Sequence, residues 1–174
     1  MRIAGLASIA YYYFDFRDTA KQDVRGLVSS LLSQLYAQST LCCDALSHFY
    51  SAHGDGSQKP ITGALIQCLR DILEIPGQGP IYIIIDALDE CSNTWRLSSA
   101  REKVLELLEE LVKLRIPTLR ICATSRPEFD IHNILAPLTS LRLSLLRESV
   151  LTTSFLSSSL QLRILRSVLT TLLI

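Results

Sequence analysis

The chain has 174 residues, enough for one domain with a real core, with 48% apolar and 20% charged residues and a formal net charge of +0. That composition excludes disorder, and the balanced charge gives no reason to expect a nucleic-acid partner. The five cysteines, Cys42, Cys43, Cys68, Cys91 and Cys122, show no C-x-x-C spacing, so free thiols in a reducing, cytoplasmic setting are expected rather than zinc or disulfides.

The opening MRIAGLASIAYYYF runs into aromatics suited to a buried strand, favoured over a signal peptide. A strand is expected over 8–16, with Asp18 as a helix N-cap. From Gln22 to Ser39, Val24, Leu27, Val28, Leu31, Leu32 and Leu35 recur every three or four residues, the spacing of an amphipathic helix. A shorter helix is expected over Cys42 to Ala52, then a turn at HGDGSQKP. A third helix, capped by Thr62, buries Leu65, Ile66, Leu69, Ile72 and Leu73.

PGQGP ends that helix and leads into IYIIIDALDEC. The run over 80–86 is apolar on both faces, as for a central strand covered by helices. After the loop SNTWRLSS, a helix from Ala100 to Arg115 buries Val104, Leu107, Leu108, Leu111 and Val112, and Pro117 stops it. TLRICATSRPE supplies a strand over 119–124, then a short helix over Asp130 to Leu135 and a last strand over 139–145. This alternation predicts an α/β fold with a mainly parallel sheet. Residues 1–146 form the expected domain. Residues 147–174, rich in Leu and Ser, fit no clear period and form a tail of undefined structure. No run of eighteen apolar residues exists, so no membrane span is expected, although the apolar ends leave a membrane-associated protein as an alternative.

Two strands end in polar groups: Asp86-Ala87-Leu88-Asp89-Glu90 and Thr124-Ser125-Arg126. Ligands of open α/β sheets collect at such carboxyl ends. A carboxylate there suits magnesium, a second acid suits an attacking water, and a cation on the next strand suits a γ-phosphate. The competing reading is that apolar strands end in acids where the chain meets solvent. The ordered pair of motifs, one βα unit apart, favours the site. His132, alone on a short amphipathic helix, reads as structural.

IYIIIDALDEC resembles the Walker B segment of NACHT-type P-loop NTPases, and RICATSRPE resembles their sensor 1 segment. YYYFDFRDTAKQDVRGLVSSLLSQL is similar to the strand and helix after the P-loop helix in the fungal, nephrocystin-like branch. The resemblance covers residues 8–140. It implies a three-layer α/β sandwich, Mg2+ with ATP or GTP, and a role in signal transduction. Asp86 would hold the metal and, with Ser125, bind the cofactor; Asp89, Glu90 and Arg126 would be catalytic, one of the two acids as acid/base.

One departure stands out. None of the seven glycines, Gly5, Gly26, Gly54, Gly56, Gly63, Gly77 and Gly79, leads a G-K-[ST], so the phosphate-cradling loop is missing. The resemblance puts the P-loop strand between the 119–124 and 139–145 strands. Without it, either those two pair or both expose an edge. The expected protein is therefore a partial NTPase module, truncated before its P-loop and without catalysis. The alternative is a non-catalytic interaction fragment or regulator that self-associates or pairs with full-length NACHT proteins.

Overall fold

A computed structural model describes residues 7–53, 59–93, 99–144 and 170–173. Strands β1 (Ser8–Tyr13), β2 (Ile81–Asp86) and β3 (Leu119–Ser125) form a three-stranded parallel sheet. They are separated by helices α1 (Val24–Tyr36), α2 (Thr40–Ala52) and α3 (Thr62–Leu73), and then α4 (Ala100–Lys113). Helix α5 (Phe129–Leu135) and strands β4 (Leu141–Ser144) and β5 (Thr170–Leu173) complete the order. The expected α/β class and mainly parallel sheet are observed, with element boundaries within a few residues of those read from the sequence.

Period-two alternation decides the two faces of the sheet. Ala10 and Tyr12, Ile81, Ile83 and Ile85, and Leu119, Ile121 and Ala123 point to one side and are buried. All of these but Ala123 pack with Leu27, Leu31, Leu69, Ile72, Val104 and Leu108 of α1, α3 and α4 in a single core. Burying each of these leucines, isoleucines and valines contributes about 1.5–3 kcal/mol. The opposite face is apolar too, yet among the described residues it stays open: Tyr11, Tyr82 and Ile84 are exposed. The described helices therefore cover one face of β2, where the unbroken apolar run led to the expectation of two.

Two helix caps differ from the sequence reading. Asp23, not Asp18, caps α1, its carboxylate accepting from the Gly26 amide at 2.7 Å. The intervening Thr19–Lys21 first makes a short 3-10 turn that moves the helix start along. Thr62 is the first residue of α3 and gives no side-chain cap. All five cysteines are free.

The slot beside β3 is neither closed by β4 nor left open. The sheet order is β1-β2-β3-β5-β4, with β5 antiparallel to both neighbours. Cys122 to Ser125 pair with Leu173 to Thr170, and Leu141 to Ser144 pair with the same four residues from the other side. Part of the Leu/Ser-rich tail thus supplies a strand; residues 145–169 and Ile174 lie outside the described residues.

β1 is an edge strand whose outward peptide groups are sealed by side chains. Gln34 Oε1 accepts from the Tyr11 amide at 3.0 Å and its Nε2 donates to the Tyr11 carbonyl at 2.7 Å. Gln38 does the same for Ile9 at 3.0 and 2.7 Å. Four residues along a helical segment advance about 6 Å, close to two residues of strand, so both amides meet alternate peptides. They imitate a neighbouring strand and block edge-to-edge pairing. The double variant Gln34→Ala, Gln38→Ala is expected to shift the protein towards larger species in light scattering. An unchanged size distribution would show that these amides do not guard the edge.

Candidate functional site

The parallel strands β1, β2 and β3 all end on one side, and there Asp86, the turn after it and the end of β3 come together. Tyr13 lies in register with Asp86. The Thr124 hydroxyl donates to Asp86 Oδ1, and Thr124 Oγ1 accepts from the Ala87 amide at 3.1 Å. This ties the β2 carboxylate to β3 and holds Ala87 in a left-handed conformation, φ 54° and ψ 46°. The reversal directs Leu88–Glu90 into a 3-10 turn, with Leu88 driven into the core.

A β-branched side chain fits the left-handed region poorly. Ala87→Val is expected to lower stability by about 1–3 kcal/mol, whereas Ala87→Gly stays within about 0.5 kcal/mol of the parent. Denaturant midpoints check this, and equal values for the two variants would contradict it.

The turn carries its two acids in different settings. Asp89 is withdrawn, its side chain 4% exposed. Its Oδ1 accepts from the Arg126 amide at 2.9 Å and its Oδ2 from Arg126 Nε at 2.5 Å. The hydrogen bond and charge of Asp89 raise the pKa of Arg126 above the usual arginine value. Arg126 is itself 57% exposed. The guanidinium is anchored through Nε, and its two terminal nitrogens take no partner among the described residues. Glu90 accepts from the Phe16 amide at 3.3 Å, linking the turn to the loop after β1. Cys91 is buried, its thiol donating to the Gln22 carbonyl at 3.2 Å; burial pushes its pKa up to about 12, which keeps the thiol protonated.

Of the residues expected from the sequence, the structure brings Asp86, Asp89, Glu90 and Arg126 to one end of the sheet. Ser125, the last residue of β3, lies at the same end but on the helix-covered face: it is 2% exposed, and its hydroxyl donates to the Arg126 carbonyl. Thr124, on the opposite face, makes the contact with Asp86. Arg101, in the first turn of α4, also belongs to the neighbourhood and gave no sequence signal. Its Nε donates to the Cys91 carbonyl at 3.2 Å and its Nη2 to the Asp89 carbonyl at 2.5 Å.

One carboxylate here is of the kind that a hard divalent cation takes. Asp86 is an exposed carboxylate with Oδ1 steadied by Thr124, and magnesium favours one or two carboxylates with waters and phosphate oxygens completing its shell. Among the described residues no three of His, Cys, Asp and Glu gather into a self-sufficient metal site. A separate cleft of about 330 Å³, lined in part by Leu73, Gly77, Gln78, Arg115 and Thr118, lies at the amino ends of β2 and β3.

Fold and site define an α/β module whose parallel strands deliver an acidic turn and an anchored arginine to one end. The family model "Nephrocystin 3, N-terminal" matches residues 4–126, and the chain belongs to this family, a NACHT-related N-terminal module. The match ends at Arg126 and so spans Asp86, Asp89, Glu90, Thr124 and Arg126. No curated protein and no solved structure matches the chain. Among the described residues, no helix is long and apolar enough to cross a membrane.

Proposed function

We propose that this chain carries the magnesium and γ-phosphate-sensing half of a NACHT-like nucleoside triphosphatase of the signal-transduction class, and that it does not turn over nucleotide by itself. The observation behind this is the arginine anchored on Asp89 beside the Asp86–Thr124 pair, at the strand ends where α/β sheets take ligands. Asp86 would hold Mg2+, largely through water, and Thr124 would orient that carboxylate. The ion would neutralise phosphate charge and bridge phosphate oxygens.

Arg126, steered by Asp89, would offer its outer fork to a γ-phosphate of ATP or GTP. The hydrogen bonds around the two acids support a choice between them. Asp89 has both oxygens committed to Arg126, so Glu90 is the better placed to receive a proton from water. The phosphate cradle would come from a G-x-x-x-x-G-K-[ST] segment, which these 174 residues do not contain.

The test is nucleotide binding with such a segment co-expressed. Mg2+-dependent affinity for ATP or GTP is expected, with its Mg2+ dependence lost in Asp86→Asn and its preference for tri- over diphosphate reduced in Arg126→Ala. Binding that keeps both properties in these variants would overturn the reading.

A second reading, a non-catalytic fragment that pairs with related chains, is favoured by the open sheet face bearing Ile9, Tyr11, Tyr13, Tyr82 and Ile84. Co-purification with a full-length NACHT protein but no nucleotide binding in either state would select it.

A further inference from the structure

Arg101 stands where helix electrostatics argue against it. It is the second residue of α4, at the positive end of the helix dipole, and it is 7% exposed. A buried cation there needs compensation, and the structure supplies it from three directions. Nε and Nη2 bond the carbonyls of Cys91 and Asp89, while Nη1 pairs with Asp130 Oδ2 at 3.2 Å. Its own amide donates to the Ser92 carbonyl at 3.0 Å. Asn93 Nδ2 reaches the same Asp130 oxygen at 3.4 Å. Residues 89–93 are thus clasped between α4 and α5 by Arg101 and Asp130.

Asp89 is held at both ends. Arg101 holds its carbonyl, and its carboxylate holds the amide and Nε of Arg126. The connections run from Asp130 through Arg101 and Asp89 to Arg126, joining α5, α4, the acidic turn and the end of β3. A planar fork with donors in three directions is what arginine provides and lysine does not.

We propose that Arg101, braced by Asp130, is a positioning residue of the candidate site: it fixes the Leu88–Glu90 turn through the Asp89 carbonyl and the following Cys91 carbonyl, so that Asp89 aims Arg126 at the strand ends. The role rests on the site as read above, but its test uses no nucleotide, so either can fail without the other.

The readout is the Arg126 Nε–H signal in 15N NMR spectra of the full chain and its exchange rate with water. In Arg101→Met, exchange of this proton is expected to rise by about tenfold, the scale of one lost charge-assisted hydrogen bond. The Ile83 and Ile121 amides in the sheet core should keep their parent rates. Arg101→Lys, with charge but no fork, should not restore slow exchange. If Arg101→Met does not fold, Asp130→Asn carries the test, because that carboxylate is 39% exposed and its change spares the core. It should accelerate Arg126 Nε–H by about threefold, again without moving the core amides. An unchanged Arg126 rate in a folded variant would overturn the proposal. So would acceleration matched by Ile83 and Ile121, which would reduce Arg101 to a general structural role.

Discussion

Given Mg2+ and ATP or GTP, the 174-residue chain is expected to release phosphate at the background rate, and Asp86→Asn is expected to leave that rate unchanged. Phosphoryl transfer asks the protein mainly to place the reacting atoms and offset charge, and placement alone is worth effective molarities of about 10⁵–10⁸ M. On the proposed reading, Asp86, Glu90 and Arg126 would meet a metal, a water and a terminal phosphate. They do not supply the row of backbone amides and the lysine that grip the β- and γ-phosphates, because no G-x-x-x-x-G-K-[ST] occurs in the sequence. A nucleotide would be held at one end only. Steady-state phosphate release measures this, and turnover abolished by Asp86→Asn would contradict it, showing that other groups cradle the phosphates.

The second large effect concerns the strand between β3 and β4. Leu172 pairs with Ala123 on one side and Arg142 on the other. Proline in such a position removes a ladder donor and fixes a backbone angle unsuited to a central strand. Leu172→Pro is expected to release β5 and leave two unpaired edges, on β3 and β4. The variant should then self-associate more strongly than the parent, seen as an earlier, broader peak in size-exclusion chromatography. A co-expressed segment carrying a P-loop strand and helix should reverse the shift by occupying the same slot. A variant that elutes like the parent would show that β5 contributes little to closing the sheet.

Much of this architecture is legible in the sequence because apolar periodicity differs between element types. The leucine spacing of α1, α3 and α4 and the apolar runs of β2 and β3 set their type and approximate length. The choice between Thr124 and Ser125 was legible as well. In LRICATS the small or apolar Leu119, Ile121 and Ala123 alternate with Arg120, Cys122 and Thr124, which puts Thr124 on the face of Asp86. The T-S-R motif taken as a block hides that parity.

Other features carry no local signal. Ala87 adopts a left-handed angle that nothing in its identity requires, because the bond from its amide to Thr124 is a long-range contact. Arg101 sits among Glu102 and Lys103 and reads as another solvated charge; only the packing of α4 against the turn reveals it as buried. Gln34 and Gln38 look like ordinary polar positions until β1 is laid alongside. β5 comes from Leu and Thr residues without a distinct period, and its pairing with β3 and β4 is a long-range contact that no local pattern announces.

On the proposed function, Asp86 would be a metal position coupled to Arg126 at the carboxyl end of the sheet. Manganese, standing in for magnesium together with ATP, reports this directly through paramagnetic broadening of assigned amide signals, with the P-loop segment co-expressed. Broadening centred on Asp86, Ala87 and Thr124 that extends to Arg126 and is lost in Asp86→Asn is expected. Broadening centred instead on the acidic solvent face of α4, around Glu106 and Glu109, or unchanged by Asp86→Asn, would contradict it.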